Sequence, residues 1–298
     1  MPVPSPLYPK FRDWTSDGKL TRLQASDLSA DPSREFMEVL REYAATTGKG
    51  PSEITVLDFG CGRGAEVGRL RRRGWRAFGI EIDPRFVEAG AIVNEIAEEE
   101  CPILTTAGAD GRTRFPDCYF DIIISDQVLE HVADLNAVAT EMARLLKVGG
   151  MAINVHPPRF SLVEPHYKLP FAHWLPKSGI RRAYIRALLS FGLGVKGRAP
   201  LPIDARTEVI YRYSVEETFY RPLAATEKIF RARGIRLDFD RLAIQKLRKK
   251  TSQSSGMKFL ALRALSLLSP VLPLVLIHNN FLQVRAIGEK LAVLGDDR

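Results

Sequence analysis

Asp58 closes an apolar run and stands directly before a loop with three glycines in five residues, within the stretch DFGCGRG at 58–64. Glycines at such a place let the backbone turn sharply and approach a ligand, with the N–H groups of a following helix aimed at it. Two kinds of ligand use this device. Gly60, Gly62 and Ala65 satisfy the G-x-G-x-x-G/A pattern of a pyrophosphate cradle, and Glu81 lies about where a ribose-binding carboxylate is expected. A carboxylate at position 58, however, repels a pyrophosphate and attracts a ligand that carries an ammonium and a sulfonium. Asp58 therefore argues against an NAD-dependent oxidoreductase.

Further along, Asp126, Glu130 and His131 follow another apolar run, FDIIIS at 120–125. His131 titrates near neutral pH and suits a general base, or else it hydrogen-bonds the loop backbone and shapes a pocket. The segment EPHYKLPFAHWLP at 164–176 gathers a carboxylate, two histidines and three aromatic rings between prolines that fix the backbone. Rings beside hydrogen-bonding groups suit a polyhydroxylated acceptor, with Glu164 and His166 orienting or deprotonating a hydroxyl. The other reading is a lid core in which Phe171 and Trp174 bury area. No H-x₃-H or C-x₂-C spacing occurs, so no metal is expected.

These residues need elements to hold them. Strands are predicted at 54–59, 75–82, 120–125 and 151–156, alternating with helices at 65–74, 83–100 and 134–150, the second capped by Asp83 with Pro84 at its first position. A helix at 32–46 leads in, and a helix at 224–234 and strands at 235–240 and 278–288 follow. Alternation of this kind gives an α/β fold, a parallel sheet with helices on both faces, whose ligands sit at the carboxyl ends of the strands. Residues 1–30 read as an arm with little regular structure that packs on something else, before a domain over 31–298. Two irregular stretches, 158–213 and 241–277, read as insertions covering the ligand crevice, the first as an acceptor lid.

The glycine stretch has the D-x-G-x-G-x-G form and resembles the first motif of class I S-adenosylmethionine-dependent methyltransferases. GIEID at 79–83, GADGRTRFPDCYFDIIIS at 108–125 and LLKVGGMAI at 145–153 resemble that family's later motifs, in the right order over 54–156. The resemblance implies a Rossmann-like, seven-stranded, mostly parallel sheet and S-adenosyl-L-methionine as cofactor. It assigns Asp58, Gly60, Cys61, Gly62, Glu81, Asp110 and Asp126 to cofactor binding, Glu81 on the ribose hydroxyls and Asp110 on the adenine. In one departure, Ala109 separates Gly108 from that aspartate. Asp126-Gln127-Val128 stands where methyltransferases of nucleobase amino groups carry D/N/S-P-P-aromatic, which weakens a nucleic-acid substrate. Glu130-His131 resembles the E-H pair of small-molecule members. Residues 164–176 resemble a stretch in bacterial methyltransferases associated with cell-envelope polysaccharides. Together these imply O-methylation of a glycan, a lipid-linked sugar or a related small molecule. A nucleic-acid-binding methyltransferase and a non-catalytic cofactor-binding module are the alternatives.

The formal charge of +8 attracts anionic partners without choosing among phosphate, nucleic acid and a lipid surface. Three scattered cysteines give neither a disulfide framework nor metal-ligand spacing, and the first residues lack the apolar core of a signal or anchor, so a cytoplasmic protein is expected. From Ala264 to Ile277 runs an uncharged stretch, interrupted by Pro270 and Pro273, too short to cross a bilayer. Beside KLRKK at 246–250 it reads as a lid wall with a face for peripheral membrane contact.

Overall fold

The structure, a computed structural model, describes residues 10–15, 20–97, 99, 101–108, 111–197, 200–239 and 284–291. Helices α1 (Phe11–Thr15) and α2 (Arg34–Thr47) precede β1 (Thr55–Phe59). Then come α3 (Ala65–Arg71), β2 (Arg76–Glu81), α4 (Pro84–Ala89), β3 (Leu104–Thr106), β4 (Phe120–Asp126), α5 (Leu135–Leu145) and β5 (Leu146–His156). Helices α6 (Gly179–Ser190), α7 (Ile203–Glu216) and α8 (Leu223–Arg231) lead to β6 (Ile235–Asp238) and β7 (Val284–Lys290).

Across the sheet the order is β3-β2-β1-β4-β5-β7-β6. The first five strands in that row are mutually parallel, and β7 runs antiparallel to both β5 and β6. This is the seven-stranded, mostly parallel Rossmann-like arrangement expected from the motifs. The middles of strands β1 and β4 are apolar because helices cover both their faces; Val56, Leu57, Ile122, Ile123 and Ile124 are fully buried. One face packs on α2 and α3 through Leu40, Val67 and Leu70, and the other on α5 and α8 through Met142 and Phe230. The chain leaves β1 toward β2 and β3, then crosses to β4 on the other side, so the carboxyl ends of β1 and β4 form the switch point where a ligand crevice opens.

Several local expectations need correction. The helix foreseen over 83–100 starts as expected, with Asp83 accepting the Arg85 N–H, but stops at Ala89. Gly90 presses against the Arg63 carbonyl so closely that a Cβ there would lie 2.1 Å from the oxygen, and a 3₁₀ turn follows. The helix foreseen over 134–150 ends at Leu145, and Leu146 is already extended. Gly149 and Gly150 lie inside β5, where the pairing with β4 shifts register, rather than closing the helix. The three-residue strand β3 carries too little pattern to be foreseen.

The segment 158–213 is not irregular either: α6 and α7 pack on each other and, with α1, build a third core of Phe11, Trp14, Tyr167, Leu169, Ile185, Leu189, Val209, Ile210 and Tyr213. The expected arm at 1–30 is likewise partly ordered. Besides α1 it buries Leu23 and Leu28 against the sheet domain. The stretch 241–277, including the apolar run and its basic neighbour, lies outside the described residues.

Candidate functional site

The glycine loop is built as its sequence suggests. Gly60, Gly62 and Gly64 all have positive φ, at 82°, 53° and 73°, a region that side chains with a Cβ rarely enter. Gly60 also has no room: a Cβ would come within 2.4 Å of the Val128 side chain, from the loop after β4. Glu81, at the end of β2, braces the loop by accepting the Gly62 N–H at 2.9 Å and holds the next turn by accepting the Ile82 N–H at 2.8 Å. The Cys61 N–H donates to the Ile80 carbonyl, and its thiol packs over Gly79, so Cys61 shapes the loop from behind. Burial pushes that thiol's pKa well up.

Asp58 is 7% exposed. Burial first, and then the charges of Glu66, Asp126 and Glu81, push its carboxyl well above the usual carboxylate range. Acidic groups from β1, α3, β2 and β4 thus converge on one glycine cradle, and a ligand bearing an ammonium and a sulfonium relieves their mutual repulsion. The residues present fit S-adenosylmethionine on both counts, backbone room and charge. Asp110 lies outside the described residues.

The acceptor side begins where β4 ends. Gln127 takes a left-handed φ of 57° and donates its N–H to the Val155 carbonyl, turning the chain so that Leu129–His131 forms a 3₁₀ turn. Arg221 donates to the carbonyls of Leu129, Val132 and Ala133, and the Phe219 N–H donates to the Glu130 carbonyl, so the segment after α7 clamps this turn. Within it, His131 Nδ1 lies 2.7 Å from the Glu217 carbonyl oxygen. A carbonyl only accepts, so Nδ1 carries the proton and Nε2 keeps its lone pair. Burial, the largest cause, lowers the His131 pKa and keeps the ring neutral.

His166 comes from a loop that folds back on itself, with the Glu164 N–H donating to the Leu169 carbonyl and the Lys168 N–H to that of Glu164. Lys168 permits the turn by adopting a φ of 56°. Glu164 was expected to orient or deprotonate an acceptor, but it is fully buried and its oxygens are taken. It accepts the N–H groups of His166 and Tyr167, the Tyr220 hydroxyl at 2.5 Å and His166 Nδ1 at 2.6 Å. These hydrogen bonds hold its pKa below the usual carboxylate value in spite of burial. Glu164 therefore positions His166 through Nδ1, leaving Nε2 as the nitrogen not engaged by it.

The fold brings the rings of His131 and His166 to 5.0 Å between centroids. Both line a cavity of about 350 Å³ with Phe11, Arg12, Thr15, Tyr213, Glu216 and Glu217. The Phe11 and Tyr213 rings stack at 4.1 Å there, while Arg12 lies over the Phe86 ring beside the glycine loop. Phe171 and Trp174 stay 42% and 39% exposed rather than forming a lid core. Sequence reasoning missed Phe11, Tyr213, Tyr220 and Arg221, whose only signal is contact across distant segments. Asp126 joins the two halves electrostatically, since its charge raises the pKa of both Asp58 and Glu130.

Residues 57–154 match a family model described as a methyltransferase domain. A demethylmenaquinone methyltransferase of Tropheryma whipplei is 34% identical over 128 residues, covering 41% of this chain and 50% of its own. A ubiquinone biosynthesis O-methyltransferase of Nitrosomonas europaea is 32% identical over 131 residues, covering 40% and 53%. The chain thus spans about half the length of the curated relatives it matches. Among solved structures, a putative sarcosine dimethylglycine methyltransferase from Galdieria sulphuraria aligns over 89% of this chain and 91% of its own, with 15% identity and a TM-score of 0.45. With the D-x-G-x-G-x-G loop, the sheet order and the match to the family model in agreement, residues 57–154 form a class I S-adenosylmethionine-dependent methyltransferase domain.

Proposed function

We propose that the chain transfers a methyl group from S-adenosylmethionine to a hydroxyl oxygen of a small organic acceptor bound in the cavity beside His131 and His166. The observation that carries this reading is the shared placement of the two histidines: each has Nδ1 engaged by a protein oxygen, which leaves Nε2 as its other nitrogen, and both rings line the cavity. When bound, the sulfonium supplies an activated methyl carbon and a neutral thioether leaving group. What remains for the protein is to align the hydroxyl, exclude water and take its proton, and a neutral imidazole Nε2 takes that proton as the oxygen–carbon bond forms.

The stacked Phe11–Tyr213 wall suits a flat acceptor face. Two acceptor classes fit it: a glycan or lipid-linked sugar, to which the 164–176 segment pointed, and a hydroxylated quinone-type ring. The second is favoured by the names of two relatives, a demethylmenaquinone methyltransferase and a ubiquinone biosynthesis O-methyltransferase. Incubation with labelled methyl donor and separate pools of ring phenols and lipid-linked sugars, read by mass, tests the reading. Label on a ring oxygen is the expected result. Label on nitrogen or on nucleic acid, with none on oxygen, overturns it.

A further inference from the structure

Glu130, next to the cavity-lining His131, is 1% exposed, and neither of its carboxylate oxygens has a hydrogen-bond partner among the described residues. An unpartnered buried carboxylate is costly unless it is protonated or meets a cation. His131 Nε2 lies 3.9 Å from Glu130 Oε1, too long for a hydrogen bond. One ligating atom from each of Glu130, His131 and His166 lies within 4.8 Å of the other two.

We propose that Glu130, His131 and His166 bind one divalent first-row transition ion, for which zinc is the redox-silent representative. Three features of the cluster carry this. Two imidazoles and a carboxylate are the donor set of open, three-ligand metal sites, which leave a further position for a water or a substrate oxygen. Each histidine also has the outer support that a metal-ligating histidine needs, Nδ1–H to the Glu217 carbonyl in one case and to the Glu164 carboxylate in the other. With Nδ1 engaged in each ring, Nε2 is the atom left to coordinate.

The charge balance agrees. Glu164, Glu216 and Glu217 lie around the cluster along with Glu130, facing the guanidiniums of Arg12 and Arg221 and the Lys10 ammonium, so carboxylates are in excess. Bonds of roughly 2.0–2.2 Å to nitrogen and oxygen require the three donor atoms to draw together by about an ångström, a movement that side-chain rotation supplies. Glu130 and His131 share one short turn, and His166 approaches from a separate loop. No spacing rule along the chain reveals such a site, which is why the absence of H-x₃-H and C-x₂-C motifs pointed away from metal.

For its role, though not for its existence, the ion rests on the proposed function. It occupies the Nε2 atoms that would otherwise take the acceptor's proton. In exchange, a hydroxyl coordinated to it would be acidified and release its proton to solvent on binding, and vicinal ring or sugar oxygens would gain a chelating position.

Equilibrium dialysis of the chelator-stripped full chain against zinc, with the ion counted by elemental mass spectrometry, tests the site. One ion per chain is expected, with affinity falling at least tenfold in Glu130→Gln and in His166→Ala. Binding of S-adenosylmethionine within about twofold of the parent shows that both variants are folded. Cobalt(II) added to the unaltered chain should produce visible d–d bands of a site with fewer than six ligands. Absence of stoichiometric zinc together with a spectrum like that of aqueous cobalt overturns the proposal, and so does zinc affinity unchanged in both variants. Neither measurement uses an acceptor, so failure here leaves the methyl-transfer reading to be judged by its own assay.

Discussion

Glu81 combines two duties. The motif resemblance implies a ribose contact for its carboxylate, and in the structure that carboxylate ties Gly62 and Ile82 by their N–H groups. Replacing it by alanine removes charged hydrogen bonds and loosens the loop at once. Glu81→Ala is expected to weaken S-adenosylmethionine binding by roughly 1.5–3 kcal/mol. Calorimetry decides, and an unchanged dissociation constant would remove Glu81 from the cofactor site. Gly60→Ala should do at least as much harm, since it meets both a positive φ and the Val128 side chain. Pairing it with Val128→Ala relieves only the contact; partial recovery of cofactor affinity in the double variant would separate the two costs. Residues of this kind were legible in the sequence because their chemistry is local: a carboxylate, a turn and a helix start within a few positions. Glu164 shows the limit. Its type and neighbours suggested direct contact with an acceptor, and only the fold shows that four hydrogen bonds consume it.

At the level of elements, the alternation of strands and helices was readable wherever apolar residues recur with one period, as in β1, β4 and α5. Helices α6 and α7 escaped for a physical reason. The inner face of α6 carries Arg181, buried at 5% exposure and donating to the carbonyls of Leu175 and Ser214. The inner face of α7 carries Thr207 and Ser214, whose hydroxyls turn back to the carbonyls of Ile203 and Tyr211. Polar residues satisfied in this way pack like apolar ones but break the apolar pattern. Helix α1 is too short to signal itself, yet it touches both halves of the site, stacking Phe11 on Tyr213 and setting Arg12 over Phe86. Phe11→Ala is therefore expected to raise the acceptor KM about tenfold, the worth of a stacked pair, while changing cofactor affinity less than about twofold. Steady-state kinetics at saturating cofactor would show it, and an unaltered KM would detach α1 from the acceptor cavity.

Over the whole molecule, buried histidines set the acid limb of stability. Burial holds the pKa of His156 and of His173 at about 4, against 6.5 in the unfolded chain. Between those values the unfolded state binds the extra protons, so the contribution of these two histidines to stability is largest above pH 6.5 and falls as pH drops toward 4. Each group contributes a slope of about 1.4 kcal/mol per pH unit in that window. His156→Gln should reduce the acid-limb slope by one proton, as denaturant titrations at several pH values would reveal; a parallel limb would contradict the assignment. The charge of +8 bears on a different property. Binding to anionic liposomes at low salt, lost at high salt, is the expected outcome of flotation if the basic and apolar run at 246–277 reaches a lipid surface; no co-flotation would leave that run as a lid wall alone. Finally, β7 lies between β5 and β6 although it follows β6 in the chain. During synthesis the edge of β5 emerges and waits, its backbone groups unpaired, while β6 has no strand to join until the chain has run on to β7. The nascent protein thus carries an open, self-adhesive edge for the interval between the two, which makes this join a natural client surface for chaperones and a poor place to shorten the gene.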